Sequence, residues 1–224
     1  MHGNLCNLCL PIKPCIMSNE KIDFSKILKD SRETLLNPKE YFASMPLTGG
    51  FVEPIIKAAV YGTLAGLFSL LWSILGFSAM GIGAWGGAVG IMSLIWSIIG
   101  AVIGVFIGGI ITLVISAICG GNTDFEANVR VSASLMVVYP ISALLAFFYA
   151  INFTLGGLVG VIVNLYGLYL LYEAIIKALK GKESSMKIVL IVLAVIVMLG
   201  FFQGRKATNK LRDFTEMYEE DLID

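Results

Sequence analysis

Charge is what this 224-residue chain lacks: Asp, Glu, Lys and Arg together make up 14% of it, against about 25% in an ordinary soluble domain. With 57% of the residues apolar, that deficit excludes a water-soluble fold. Histidine is almost missing, His2 being the only one, so a His-based triad and an HExxH zinc site are excluded. There is no GxxxxGK(S/T) loop and no strand-borne GxGxxG, the two glycine signatures that cradle phosphates. Net charge is zero, with 16 basic and 16 acidic residues, which points to neither nucleic acid nor a bulk anionic partner. Without an internal repeat, a pseudosymmetric transporter built of two halves gets no support. No catalytic signature remains, and the sequence reads as non-enzymatic, with no cofactor implied.

What the chain has is long stretches free of charge: Ala58–Thr123, Val131–Tyr172 and Ile188–Gly204 contain no Asp, Glu, Lys or Arg. At about 1.5 Å per helical residue and roughly 30 Å per crossing, they hold two, two and one spans. The expectation is an all-α, polytopic transmembrane helical bundle, with spans near 54–76, 91–118, 131–150, 156–178 and 187–203. A six-span alternative stays open, because Ala58–Thr123 has room for a third helix. Five is preferred: the glycine-rich Gly76–Gly90 reads better as an interfacial or re-entrant connection than as a lipid-facing helix.

Around the membrane domain (51–203) the chain divides into a leader (1–16), a cytoplasmic lead (17–50) and a charged tail (204–224). The leader carries Cys6, Cys9 and Cys15. Cys6-x2-Cys9 with Cys15 and His2 nearby could clamp a metal, but one CxxC without a second pair reads rather as a leader without a role, with Met17 as the natural start. Cys119 stands alone in apolar sequence, as an inert packing residue would. In the lead, Phe24, Ile27, Leu28, Leu35 and Leu36 alternate with Lys26, Lys29 and Arg32 at helical spacing, predicting an amphipathic interfacial helix. Asn37 then caps a second short helix with Pro38 at its first position, whose Tyr41, Phe42 and Met45 would lie among headgroups. Basic residues crowd the lead and the 177–187 loop, which places the N-terminus on the cytoplasmic side. With five spans the tail lies outside, although it begins with Arg205, Lys206, Lys210 and Arg212. Trp72, Trp85 and Trp96 fall near the outer interface, where an aromatic belt belongs.

Within the spans, Gly100, Gly104 and Gly108 recur every four residues, as do Gly156 and Gly160, and such faces let helices approach closely. The neighbour is another helix of this chain or a second protomer, a homo-oligomer being one outcome. Glu53 and Lys57, and Glu173 and Lys177, stand four apart at span ends. They form either an ion or proton path or plain i,i+4 pairs with a snorkelling lysine. Asn164 is the one amide near mid-span, suited to an interhelical hydrogen bond or to a substrate. No His, Asp, Glu or Arg accompanies it at that depth for chemistry. Pro140 should kink the third span beside Tyr139.

The lead LLNPKEYFASMP (Leu35–Pro46), the loop GGNTDFEANVRVSASLMVVYP (Gly120–Pro140) and the short fourth-to-fifth connection resemble the Yip1 family over about residues 35–203. The resemblance implies a cytosolic N-terminal region followed by a five-helix domain. Eukaryotic relatives are linked to Rab GTPases and ER–Golgi vesicle traffic, but this chain reads GGFVEPIIKAAV where they carry a DLxGP-like motif. It is more similar to the bacterial and archaeal branch, which implies a membrane scaffold, in the inner membrane if the source is prokaryotic and in ER or Golgi if eukaryotic. The functional expectation is therefore a scaffold, adaptor or membrane-organising subunit working in the lipid bilayer with a protein partner. A small transporter or channel is the alternative.

Overall fold

The computed structural model describes residues 24–77 and 86–220, with side chains placed at 24–77 and 91–204. The expectations for His2, Cys6, Cys9, Cys15 and Trp85 fall outside the described residues. Five helical stretches are long and apolar enough to cross a bilayer: Val52–Ile74, Ile91–Ile118, Phe125–Ile151, Phe153–Ala178 and Glu183–Gly204. The six-span alternative fails because Gly86–Gly90 already belong to the helix of the second span. The chain left between 75 and 85 is too short for a crossing of about 20 residues.

Two helices, α1 (Phe24–Leu36) and α2 (Pro38–Ser44), precede the first span, α3 (Val52–Ile74). The second span lies in α4 (Gly86–Ile118), and the third is broken into α5 (Phe125–Leu135), α6 (Val138–Leu144) and α7 (Phe147–Ile151). The fourth, α8 (Phe153–Glu173), ends in a π-helical turn, Ala174–Ala178, and the fifth begins α9 (Glu183–Glu220). Successive crossings alternate direction. The α4–α5 and α8–α9 connections therefore share a membrane face with α1 and α2, while α9 emerges at the opposite face. The two connections are clasped: Asn122 N–H donates to Leu179 O at 2.7 Å and Lys182 N–H to Cys119 O at 2.8 Å.

The third span starts at Phe125 rather than near residue 131, a correction with a local cause. The Asp124 carboxylate accepts the Ala127 N–H at 2.9 Å, a cap that starts the helix early and carries Glu126 and Arg130 into it. The span then breaks at Met136–Val137. Pro140 has no N–H to offer the Met136 carbonyl and its ring would clash with it, so Tyr139 N–H takes that carbonyl at 2.9 Å. At the second break Trp72 Nε1–H donates to Ala143 O at 3.0 Å, a side chain inserted into the backbone ladder.

Helices α3 and α4 touch backbone to backbone at Gly62 and Gly66. A Cβ on Gly62 would lie 2.7 Å from Ala101 Cβ and 2.8 Å from Ser97 O, and one on Gly66 would collide with Ser97 Oγ. Ser97 Oγ–H uses the closeness, donating to Gly62 O at 2.9 Å. The face of α4 that carries Ala101, Val105, Thr112 and Ser116 is buried, and the face with Ile95, Ile103, Ile107 and Ile111 is exposed to lipid.

The N-terminal helices belong to the core. Phe42 is 1% exposed, and with Tyr41 it joins a cluster containing Val131, Ala174, Ile175 and Leu179. Ile27 joins Tyr61, Val137 and Leu170 in another. Placing Tyr41 and Phe42 among headgroups is thus corrected: burying two aromatic rings against the end of α8 is worth several kcal/mol at about 25 cal/mol per Å² of apolar surface.

Candidate functional site: a buried ion network at one membrane face

Where α1, α2, α3 and α5 meet, the sequence brings five charged side chains into one cluster. Glu53, in the first turn of α3, is its hub. Its carboxylate takes Lys26 at 3.5 Å, Lys57 one turn on at 3.3 Å, and the Arg130 guanidinium. Lys57 Nζ also reaches Asp30 of α1 at 2.7 Å and the Tyr41 hydroxyl of α2 at 3.4 Å. The side chains of Lys57 and Arg130 are only 7% and 6% exposed. Lys57 therefore does not snorkel to water, because Asp30 is delivered to it by α1.

Arg130 divides its donors three ways. Nε–H donates to Pro46 O at 2.9 Å and Nη1–H to Gly50 O at 3.0 Å, while Nη2 goes to Glu53. One side chain thus holds both ends of the α2–α3 connection. Glu126, one turn earlier in α5, accepts the Gly49 and Gly50 N–H groups, each at 2.6 Å. Neutral bonds extend the network: Tyr41 OH to Ser134 Oγ at 2.9 Å, Ser31 Oγ to Tyr61 OH at 2.7 Å, and Tyr166 OH donating to Leu35 O. A cavity of about 130 Å³ lies among these groups.

Buried ion pairs gain little net free energy, since desolvation offsets attraction, but removing one partner costs about 3–5 kcal/mol. Such a cluster therefore pins a geometry. Here it pins α1 and α2 to the bundle.

The other residues singled out from sequence sit elsewhere. Glu173 is buried at the end of α8 and Lys177 is half-buried in the π-turn, and no ion pair joins them. Asn164 does not bridge helices: exposed on α8, it donates through Nδ2 to Gly160 O of its own helix at 2.8 Å. A Cβ on Gly100 would meet nothing within 4 Å, one on Gly104 only Met136 Cε at 4.0 Å, and one on Gly108 would collide with Ser132 Oγ. In the second pair, a Cβ on Gly156 would lie 2.6 Å from the Tyr149 backbone, and one on Gly160 would lie 2.7 Å from the Tyr149 hydroxyl. Cys119 is fully buried, with Sγ 3.8 Å from Met186 Sδ, and burial pushes its thiol pKa up. Among the described residues no group of three or more His, Cys, Asp or Glu side chains is placed to hold a metal ion.

Sequence reasoning missed Asp30, Arg130, Tyr41 and Ser134 as members of the site. Asp124 was the available signal for Arg130: read as an N-cap, it starts a helix that places a lone cation on a buried face two turns on.

A bundle of five spanning helices with a polar cluster at one end defines the class, a multi-pass integral membrane protein. Within that class the chain belongs to the Yip1 family: the Yip1 domain matches residues 32–203. The match begins inside α1 and ends with the fifth span, so it takes in the whole ion network except Lys26 and Asp30. No curated protein and no solved structure shows a match to this chain.

Proposed function

We propose that this protein is a non-enzymatic membrane scaffold or adaptor, whose α1–α2 unit and the two clasped connections form a rigid cytoplasmic docking face for a protein partner. The observation that carries this reading is the use made of the buried charges. Asp30, Glu53, Lys57 and Arg130 all lie at one end of the bundle and satisfy one another, fixing the N-terminal helices instead of lining a route through the membrane. A transporter needs polar groups converging near mid-depth, and Asn164 stands there without a charged neighbour.

Basic residues support the orientation. Lys26, Lys29, Arg32, Lys39, Lys180, Lys182 and Lys187 gather at the α1–α2 face, where the positive-inside rule places the cytoplasm.

The test compares the wild-type chain with Lys57→Met, which weakens the clamp on α1. A partner that co-purifies stoichiometrically in mild detergent with the wild type should be lost with the variant, while proteoliposomes of either chain should conduct no more ion or solute than empty vesicles. Protein-dependent flux that responds to substitution of Asn164 would support the transporter reading instead.

A further inference from the structure

Among the described residues the fifth span is the least enclosed: 6% of its most apolar stretch is buried inside this chain, against 22–33% for the other four. Between α8 and α9 runs an open groove of about 290 Å³, lined by Tyr149, Gly160 and Asn164 on one side and by Val197, Gly200 and Gly204 on the other. A Cβ on Gly200 would meet nothing within 4 Å. Asn164 is exposed into this groove, and among the described residues its side chain donates to Gly160 O of its own helix. It sits roughly 17 Å from the Phe153 end of its span, near the bilayer centre. Lipid polar groups lie outside a hydrocarbon core about 30 Å thick and cannot answer an amide at that depth.

The α9 wall of the groove has a continuation that the membrane does not explain. Val197, Gly200 and Gly204 are spaced three and four apart, and the same alternation runs on through Ala207, Leu211, Phe214 and Tyr218. This is a heptad stripe of about three repeats on a helix unbroken from Glu183 to Glu220. At 1.5 Å per residue the part past Gly204 is roughly 24 Å long. Because the helix does not break at the membrane surface, its stripe is not laid onto the bilayer. The charged residues Arg205, Lys206, Arg212, Asp213, Glu216 and Glu219 all fall at positions off the stripe, as in a coiled coil whose a and d positions face a partner.

We propose that the occupant is a second copy of this chain, forming a parallel dimer with its two-fold axis along the membrane normal. The seam is Val197, Gly200 and Gly204 within the bilayer and Ala207, Leu211, Phe214 and Tyr218 beyond it. Two copies inserted the same way bring identical stripes together in register, which is the condition for a self-complementary interface. Glycines on the groove walls let the backbones approach closely. The dimer stands independently of the scaffold reading, since it lies at the membrane face opposite the ion network.

The test uses full-length, cysteine-free chains in native membranes, co-expressed with two different tags. Single cysteines at Ala207, Leu211 and Phe214, or at Lys206, Asn209 and Asp213 on the other faces, are cross-linked by oxidation. The stripe positions should give bands of dimer mass carrying both tags, and the other three should give little or none. A second variant reads the membrane half: Gly200→Leu should weaken Leu211→Cys cross-linking by about tenfold, equivalent to 1.4 kcal/mol, whereas Val195→Leu on the lipid-exposed face should leave it unchanged. Cross-linking without the heptad period, bands carrying one tag and a foreign mass, or indifference to Gly200→Leu would each overturn the proposal.

Discussion

Replacing Lys57 by methionine keeps a long flexible side chain and removes the ammonium group, charge and N–H donors together, so it reports what that group contributes to the ion network. Lys57 holds Asp30 at 2.7 Å, Glu53 at 3.3 Å and the Tyr41 hydroxyl at 3.4 Å. After Lys57→Met, Glu53 keeps Arg130 and Lys26, but Asp30 loses its only ion pair among the described residues. A broken buried pair costs about 3–5 kcal/mol. The Asp30 side chain is 19% exposed and can recover some hydration, which lowers the expected loss to about 2–4 kcal/mol. Asp30→Asn alone should cost less, about 1–2 kcal/mol, because Lys57 retains Glu53. In the double variant neither group is stranded, so its cost should fall short of the sum by at least about 1 kcal/mol. Equilibrium unfolding of the four proteins in one mixed-micelle system measures all three differences. A Lys57→Met protein within about 0.5 kcal/mol of wild type, or strict additivity, would mean that Lys57 does not hold Asp30 in the folded protein.

Four further outcomes follow from local geometry. Lys180, after the π-turn, has φ +58°, so Lys180→Gly should raise stability by about 1 kcal/mol in the same assay, relieving the left-handed penalty. Gly62→Ala should cost about 1–3 kcal/mol by forcing α3 from α4, while Gly100→Ala, at open space, should be neutral or up to about 1 kcal/mol stabilising. With Cys6, Cys9 and Cys15 replaced, Cys119 should resist maleimide at neutral pH until the protein is denatured, because a buried thiol with a raised pKa presents little thiolate. In a cysteine-free version, Thr215→Cys should react with impermeant maleimide from outside the cell and Ser184→Cys should not; equal labelling would contradict an odd number of crossings between those two sites.

The spans were legible because hydrocarbon imposes one strong rule on composition, and the charge-free stretches obey it. Their ends were not, since Arg130 looks like a boundary marker when its partners, Glu53 and the carbonyls of Pro46 and Gly50, lie about 80 positions earlier in sequence. Glu53 and Lys57 could be read as neighbours from their spacing along one helix. Nothing local revealed that Asp30 and Tyr41 would come to them from α1 and α2. The Gly100, Gly104 and Gly108 spacing marks one stripe of α4, yet the close approach of α3 is made one residue away, at Ala101, by Gly62. Spacing on one helix says which residues share a face and is silent about which face the neighbour takes. Asn164 shows the same limit: its depth was readable, and its use of Gly160 O was not.

Amide hydrogen exchange of the full-length protein in lipid nanodiscs tests the central claim, that buried ion pairs clamp α1 and α2 to the five-span bundle. Amides of 24–44 should exchange slowly in wild type, and Lys57→Met should release protection there while leaving α3, α4 and α8 unchanged. Exchange of residues 24–44 at unfolded-chain rates in the wild-type protein would contradict it.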